Sequence, residues 1–461
     1  MAPTAPDDAA GSGWRLAYPL IGIAFAKRRD YPLLSYILRV ADWCPGPCTG
    51  TNFQGTAFYN VLYGRSNEMT REVVVLSGVR TPIGGYGGSL KDTAPSVLAA
   101  KCVKEAVKRS GVKPADVGHV VFGNIIHTDA HDHYLARVAA INGGLPHETP
   151  ALTLNRLCGS GLQAIITAGQ AIMLGDADVT VAGGAENMSR APYSSAAMRF
   201  GARMNDTTLV DMMVGALSDP FDDCHMGVTA ENVAKKYDIS RQDQDELAVE
   251  SHRRAGAAID HGYFKAQIVP IDIKVKRDVV PFEVDETVRY GVTTEKLGRL
   301  PTVFDREGSV TPGNASSIND AAAALVLADR EVAESRGLKP MGRLVDYAYA
   351  GVDPKYMGMG PVPAVRKVLE KTGLGIDDID VFEVNEAFAS QAIAVCRELD
   401  LPMDRTNPNG SGISLGHPIG ATGAILVIKA LYELNRTGKK RALVTMCIGG
   451  GQGIAAIFEH I

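Results

Sequence analysis

Cys158 stands where its thiol could act as a nucleophile. An extended segment, Ala151–Leu157, ends just before it, and an apolar run with helical periodicity, Leu162–Leu174, follows. A thiol at the start of a helix meets unpaired N–H groups and the positive end of the helix dipole, so we expect its pKa to fall below the free value of about 8.5. Gly159 and Gly161 permit a tight turn and close approach of a substrate. The alternative is a buried structural cysteine.

Three later segments carry residues that could complete such a site. Asn385 follows an apolar strand, at the edge of the sheet where α/β proteins hold ligands. His417 stands in a glycine-rich turn before a helix, and Cys447 comes just after a predicted strand and shortly before the glycines 449–451. Each segment alone also has a structural explanation, because glycine turns are common and a lone histidine is more often a surface or core residue.

Strands and helices alternate on both sides of a long polar segment, Met188–Thr311. Strands separated by helices predict βαβ units and a largely parallel sheet. Within the polar segment we predict helices Val228–Tyr237 and Ser240–Asp260, the second with a Ser-x-x-Asp capping signal. The other predicted helices are Val97–Val107, Leu162–Leu174, Ala364–Thr372, Glu386–Leu399 and Ala421–Leu434, and the strands are Val73–Ser77, Val117–Phe122, Val179–Gly183, Ala321–Leu327, Val381–Val384, Arg441–Thr445 and Ile454–Phe458.

A weak internal repeat relates the two sides. Cys158-Gly-Ser-Gly leads into a helix, a strand and then Gly183-Gly-Ala-Glu-Asn, and His417-Pro-Ile-Gly leads into a helix, a strand and then Ile448-Gly-Gly-Gly-Gln. The repeat predicts a duplicated α/β fold with one elbow at corresponding places in each half.

Composition describes a globular protein of two or three domains with an ample core: 461 residues, 46% hydrophobic and 21% charged. A formal charge of −5 without a dense basic run argues against a nucleic-acid binder. Seven scattered cysteines indicate a reducing compartment rather than a disulfide framework. The apolar stretch Leu16–Ala26 is too short to span a bilayer and has the wrong flanking charges for a signal peptide, so a cytoplasmic enzyme is the simplest interpretation.

Residues 1–68 differ in texture from the rest of the chain. They hold both tryptophans and the pair Cys44 and Cys48, for which no second ligand pair follows. The abrupt change at Met69 predicts that residues 1–68 are an extension outside the enzyme fold, and intact mass of the native protein would test whether they are translated.

Together, the segments around Cys158, Asn385, His417 and Cys447 resemble the thiolase family over residues 69–461. The resemblance is greatest to bacterial biosynthetic thiolases (acetyl-CoA acetyltransferases) and the β-ketothiolases of polyhydroxyalkanoate-producing bacteria. It implies a layered α/β/α/β/α fold of two βαβ halves, 69–187 (completed by 319–339) and 340–461, with a CoA-binding loop domain at 188–318. It also implies a homotetramer built from tight dimers.

The resemblance implies Claisen condensation of two acyl-CoA molecules to a 3-ketoacyl-CoA, or thiolysis in reverse, with coenzyme A as substrate or product and no cofactor. Cys158 would carry the acyl thioester, His417 would act as base and oxyanion donor, and Cys447 as acid/base. Asn385 would position a water at one oxyanion hole, and the N–H groups of Cys158 and Gly449 would form another. Alternatives are a degradative thiolase for longer chains, a ketoacyl synthase, and a non-catalytic CoA-binding protein.

CoA contacts are implied by matching position. Two departures from the family motif, Pro312 and Ser317 in Thr311–Asp320, could alter how the pantetheine arm is held. Three histidines and two aspartates in His127–His133 have the composition of a metal site, but the resemblance implies no metal there. The implied CoA contacts are Ser316, His225, Met226, Phe304, Met357 and, through a phosphate, Arg289.

Overall fold

Alternating strands and helices make up residues 71–461, the part of the chain that the structure, a computed structural model, describes. The predicted extension, with Cys44 and Cys48, lies outside the described residues. The strands are β1 Val73–Arg80, β2 Gly84–Gly85, β3 His119–Gly123, β4 Ala151–Leu154, β5 Val179–Asn187, β6 Tyr193–Ser194, β7 Val210–Asp211, β8 Ser218–Asp219, β9 Cys224–His225, β10 Ile271–Val275, β11 Asp278–Phe282, β12 Asn319–Asp329, β13 Gly342–Gly351, β14 Val381–Val384, β15 Arg441–Ile448 and β16 Gln452–Glu459. The α-helices are α1 Pro95–Ser110, α2 Leu135–Asn142, α3 Ser160–Met173, α4 Met212–Ala216, α5 Met226–Lys236, α6 Arg241–Asp260, α7 Thr294–Gly298, α8 Arg330–Ser335, α9 Pro361–Thr372, α10 Ala389–Glu398, α11 Gly412–Leu415 and α12 Thr422–Thr437.

The main sheet has the order β14-β15-β16-β13-β1-β12-β5-β3-β4, with β2 paired to β12. Its two halves meet at β1 and β13, which share only two residue pairs. The order β4-β3-β5-β12-β1 of the first half recurs as β14-β15-β16-β13 in the second, and an isolated parallel bridge between Phe382 and Thr406 stands in place of the missing edge strand. The predicted duplication is therefore confirmed.

The prediction of a largely parallel sheet is wrong. Only β3–β4, β3–β5 and β14–β15 pair in parallel, and the other pairings in the main sheet are antiparallel. The reason is the tight turn at 449–451, which joins β15 to β16 as a hairpin and so reverses the chain. In the first half, the polar segment 188–318 replaces that turn between β5 and β12, and the two strands keep the antiparallel register.

Helices α3 and α12 form the middle layer of five. They pack against each other, α3 on β5 and β3 and α12 on β15 and β14. Helices α1 and α2 cover the outer face of the first half, and α9 and α10 lie on the outer side of the second. A Cβ on Gly161 would come within 2.7 Å of the Ala424 backbone nitrogen, and one on Gly423 would overlap the backbone of Leu162. These glycines let the two helix starts, with the residues just before them, approach each other.

The long segment between β5 and β12 contains α5 and α6, whose bounds are close to those of the two predicted helices. Ser240 caps α6 in a reciprocal capping box with Asp243, as its sequence signal predicts. A fully buried ion pair between Arg80 and Asp285, 2.7 Å apart, fastens the segment to the end of β1. No helix within residues 71–461 is long and apolar enough to cross a membrane.

Candidate active site

Cys158 sits on a strained turn between β4 and α3. The preceding residue, Leu157, has φ +46, a left-handed conformation that non-glycine residues rarely adopt. Two side chains hold the turn: Asn155 Oδ1 accepts from the Leu157 N–H at 2.8 Å, and Ser160 Oγ accepts from the Arg156 N–H at 2.8 Å. Strain of this kind persists only where the surroundings fix it, and it is characteristic of functional sites.

His417 occupies the corresponding turn before α12. Its backbone N–H donates to Asn319 Oδ1 at 2.8 Å. Its Nδ1 lies 2.7 Å from Thr422 Oγ1, and the Thr422 hydroxyl donates to the Pro418 carbonyl at 2.9 Å. Because that hydroxyl proton is already used, Thr422 accepts from Nδ1–H, so Nδ1 carries the ring proton of the neutral imidazole. Nε2 is therefore the basic atom.

Asn385 supports the same imidazole from the end of β14. Its Nδ2 lies 3.4 Å from His417 Nε2. Its Oδ1 is buried and makes no hydrogen bond within residues 71–461, so it can receive a polar group beside the imidazole. The predicted helix 386–399 begins only at Ala389, because Phe388 is extended and its segment pairs with Ala315.

The three titratable side chains of the site are neutral at pH 7. Burial lowers the pKa of His417 to about 4. Burial raises the pKa of Cys158 to about 11, and the backbone N–H groups of Gly449 and Cys158 only partly offset that rise. The pKa of Cys447 is raised by burial and then by the neighbouring Cys158. The expectation that the helix start would lower the pKa of Cys158 below its free value is therefore wrong, since desolvation outweighs the N–H groups there.

One cavity of about 370 Å³ brings most of the predicted site together. Cys158 is partly buried and keeps a face open to it. Asn385 does not line the cavity but contacts His417. Arg289 lies in a neighbouring cavity of about 350 Å³, where its backbone N–H donates to His252 Nδ1 at 3.1 Å. The predicted residues that line the first cavity are Cys158, His417, Cys447, Gly449, Ser316, His225, Met226, Phe304 and Met357.

The remainder of the cavity is mainly apolar. The His225 ring stacks on Phe304 with centroids 4.7 Å apart, and burial lowers the pKa of His225. Phe304 meets Phe388 edge-on at 6.4 Å. Such walls suit a flexible organic chain with few polar anchors.

Two residues that hold His417 were not among the sequence candidates. Thr422 stands in the first turn of α12, and a hydroxyl so close after His417 was a usable signal. Asn319 is distant in sequence, and no local pattern links it to His417.

The residues His127–His133 do not form a metal centre. His127 and His133 approach each other with their Nδ1 atoms 3.1 Å apart, but His131 turns away to Asp129. Within residues 71–461, no group of three or more His, Cys, Asp or Glu side chains is placed to hold a metal ion.

Two thiols and an imidazole around one mainly apolar cavity are the arrangement expected of an acyltransferase. The chain belongs to the thiolase family: the thiolase N-terminal domain matches residues 73–331 and the thiolase C-terminal domain matches 338–460.

Relatives cover most of the chain and nearly all of their own length. The beta-ketothiolase BktB of Cupriavidus necator is 64% identical over 394 residues, covering 85% of this chain and 100% of the relative. An acetyl-CoA acetyltransferase of Syntrophomonas wolfei is 48% identical, with 85% and 100% covered. The crystal structure of the Bacillus anthracis acetyl-CoA acetyltransferase has a TM-score of 0.83 at 46% identity, covering 85% and 99%. Human mitochondrial 3-ketoacyl-CoA thiolase in complex with CoA has a TM-score of 0.83 at 43% identity, covering 85% and 99%.

Proposed function

We propose that the chain is a β-ketothiolase that condenses acetyl-CoA with acetyl-CoA or another short acyl-CoA. The products are a 3-ketoacyl-CoA and CoA, and thiolysis is the reverse reaction. The observation that carries the proposal is the convergence of Cys158, Cys447 and His417 on one cavity. The names of the relatives at 64% and 48% identity support the same activity.

The first half-reaction transfers the acyl group to Cys158. His417 Nε2 takes the thiol proton as Sγ attacks the thioester carbonyl, since the thiol is protonated and the imidazole is neutral. The N–H groups of Cys158 and Gly449, which already favour negative charge on Cys158 Sγ, stabilise the carbonyl oxygen. The departing CoA thiolate takes a proton from Cys447, which leaves Cys447 as a thiolate and His417 as an imidazolium.

The second half-reaction forms the carbon–carbon bond. The Cys447 thiolate removes an α-proton from the incoming acetyl-CoA. The His417 imidazolium and a water held by Asn385 donate to the enolate oxygen. The enolate carbon attacks acyl-Cys158, and the released Cys158 thiolate recovers its proton from His417, so every group returns to its starting state.

The CoA arm is bound by the apolar wall and a few polar anchors. His225, Met226 and Phe304 of the inserted segment line the cavity with Met357, which lies in the short helix 354–359 before α9, and Ser316 adds a hydroxyl. The human relative that was solved in complex with CoA supports CoA thioesters as the substrates. Arg289, in the neighbouring cavity, is proposed to meet a CoA phosphate at the surface.

The same proposal includes the broader setting of the enzyme. It acts in the cytoplasm as a homotetramer, with no dissociable cofactor and no bound metal. Its reaction belongs to short-chain acyl-CoA and fatty acid metabolism, including the supply of 3-ketoacyl-CoA for polyhydroxyalkanoate synthesis.

Acetyl-CoA labelled in the acetyl group tests the activity directly. We expect label on the Cys158 peptide and stoichiometric release of CoA, and neither with Cys158→Ala. Peptide mapping by mass spectrometry and a thiol assay measure the two events. A protein that binds CoA without labelling or CoA release would be a binding protein and not an enzyme.

A further inference from the structure

The segment 311–318 forms a wall between the active-site cavity and the neighbouring cavity. Pro312, Ala315, Ser317 and Ile318 line both cavities. One backbone hydrogen bond holds this wall to the segment that follows Asn385: the Ser316 N–H donates to the Ala387 carbonyl at 2.9 Å. A change in the position of this wall would therefore alter the shape of the active-site cavity.

Ser317 ties the other end of the wall to His417. Its hydroxyl donates to Asn319 Oδ1 at 3.0 Å, and the same oxygen accepts from the His417 N–H at 2.8 Å. Asn319 Nδ2 donates to the Gly84 carbonyl at 3.0 Å, which fixes the orientation of the amide. An amide oxygen accepts two hydrogen bonds comfortably, so Ser317 and His417 together use its capacity.

The His417 turn is built closely around this asparagine. Asn319 is fully buried, and Gly416, just before His417, has φ +107. A Cβ on Gly416 would come within 2.5 Å of the Asn319 amide, so the turn leaves that side chain no room to move. A shift of the Asn319 side chain would consequently move the backbone of His417.

We propose that Ser317 is a positioning residue, whose hydroxyl orients His417 through Asn319. Ser317 is one of the two departures from the thiolase motif in this segment. The inference rests on the proposed function, because its effect is on the proton transfers of His417.

A matched pair of variants at this position separates the hydroxyl from the bulk of the side chain. Ser317→Thr keeps the hydroxyl, whereas Ser317→Val has a similar shape without it. For thiolysis of acetoacetyl-CoA, we expect Val to lower kcat by about 2- to 10-fold, the effect of one neutral hydrogen bond, with KM changed less than kcat. Thr should restore the wild-type kcat. Ser317 is exposed, so both variants should fold, and equal Tm values would check this.

Two outcomes would overturn the inference while the wild type remains active. Equal kcat for Thr and Val would show that the hydroxyl has no role. A change in KM alone would show that Ser317 contacts the pantetheine arm instead of acting on His417. An inactive wild-type protein, by contrast, would overturn the proposed function and this inference with it.

Discussion

Cys158 and Cys447 are the same residue type in two different settings, and the difference assigns their roles. Cys158 is partly buried, opens to the cavity and lies beside the N–H groups of Cys158 and Gly449, which favour its thiolate. Cys447 is fully buried in β15, where both burial and Cys158 oppose negative charge. A partly buried thiol that opens to the cavity beside N–H donors suits a nucleophile, and a thiol whose pKa is raised further suits proton transfer to and from carbon.

Replacing Cys447 by serine should separate the two half-reactions. The variant should still form acyl-Cys158, because His417 can return its proton to the departing CoA. Condensation should fall by about 10²- to 10⁴-fold, because the base must be a deprotonated side chain and a serine hydroxyl loses its proton far less readily than a thiol. Burst labelling of Cys158 and steady-state formation of acetoacetyl-CoA measure the two steps.

Cys102 provides the control for that experiment. It is also fully buried, and burial raises its pKa to about 12, but it packs in the outer layer away from the cavity. Cys102→Ser should leave condensation close to the wild-type rate among folded molecules. If Cys447→Ser condensed at the same rate as Cys102→Ser, its role as acid/base would be wrong.

At the scale of elements, local pattern predicted most helices and strands but not their directions. Alternating apolar runs identified β14 at its observed bounds and α3, α6 and α12 to within a few residues. The antiparallel pairing of β5 with β12 depends on strands separated by the segment 188–318, so no local window contains it. The raised pKa of Cys158 could not be predicted from local sequence either, because the groups that bury this thiol come from distant parts of the chain.

Gly423 tests how closely the two central helices must approach. A Cβ there would overlap the backbone of Leu162 in α3, and a backbone atom cannot rotate away. We expect Gly423→Ala to lower the free energy of unfolding by about 1–3 kcal/mol or more and to lower kcat, since the Cys158 and His417 turns lie at these helix starts. Urea unfolding and thiolysis rates measure both effects.

Gly298 is the matched control for a glycine in a helix. It ends α7, and a Cβ there would meet no atom within 4 Å. Gly298→Ala should leave the free energy of unfolding unchanged or slightly raise it, because alanine lowers the conformational entropy of the unfolded chain. Equal stability of the two alanine variants would contradict the close approach of α3 and α12.

At the scale of the whole molecule, exposed apolar side chains are concentrated in one segment of the chain. Large apolar side chains between residues 193 and 221 are exposed, and Phe200 is 90% exposed. Closed symmetric assembly is a common way to cover exposed apolar side chains. We call this group of exposed side chains the apolar patch; it comprises Tyr193, Met198, Phe200, Met204, Leu209, Val210 and Phe221.

The proposed tetramer should therefore depend on this patch. Phe200→Glu places a charge in an apolar contact, which costs several kcal/mol if the residue is buried between subunits, and we expect tetramers to become dimers. Val279→Glu, on the exposed hairpin of β10 and β11, should stay tetrameric. Light scattering coupled to gel filtration gives the subunit number of each variant. A Phe200→Glu protein that remains tetrameric would place the subunit contact elsewhere, and the exposed patch would then need a different partner.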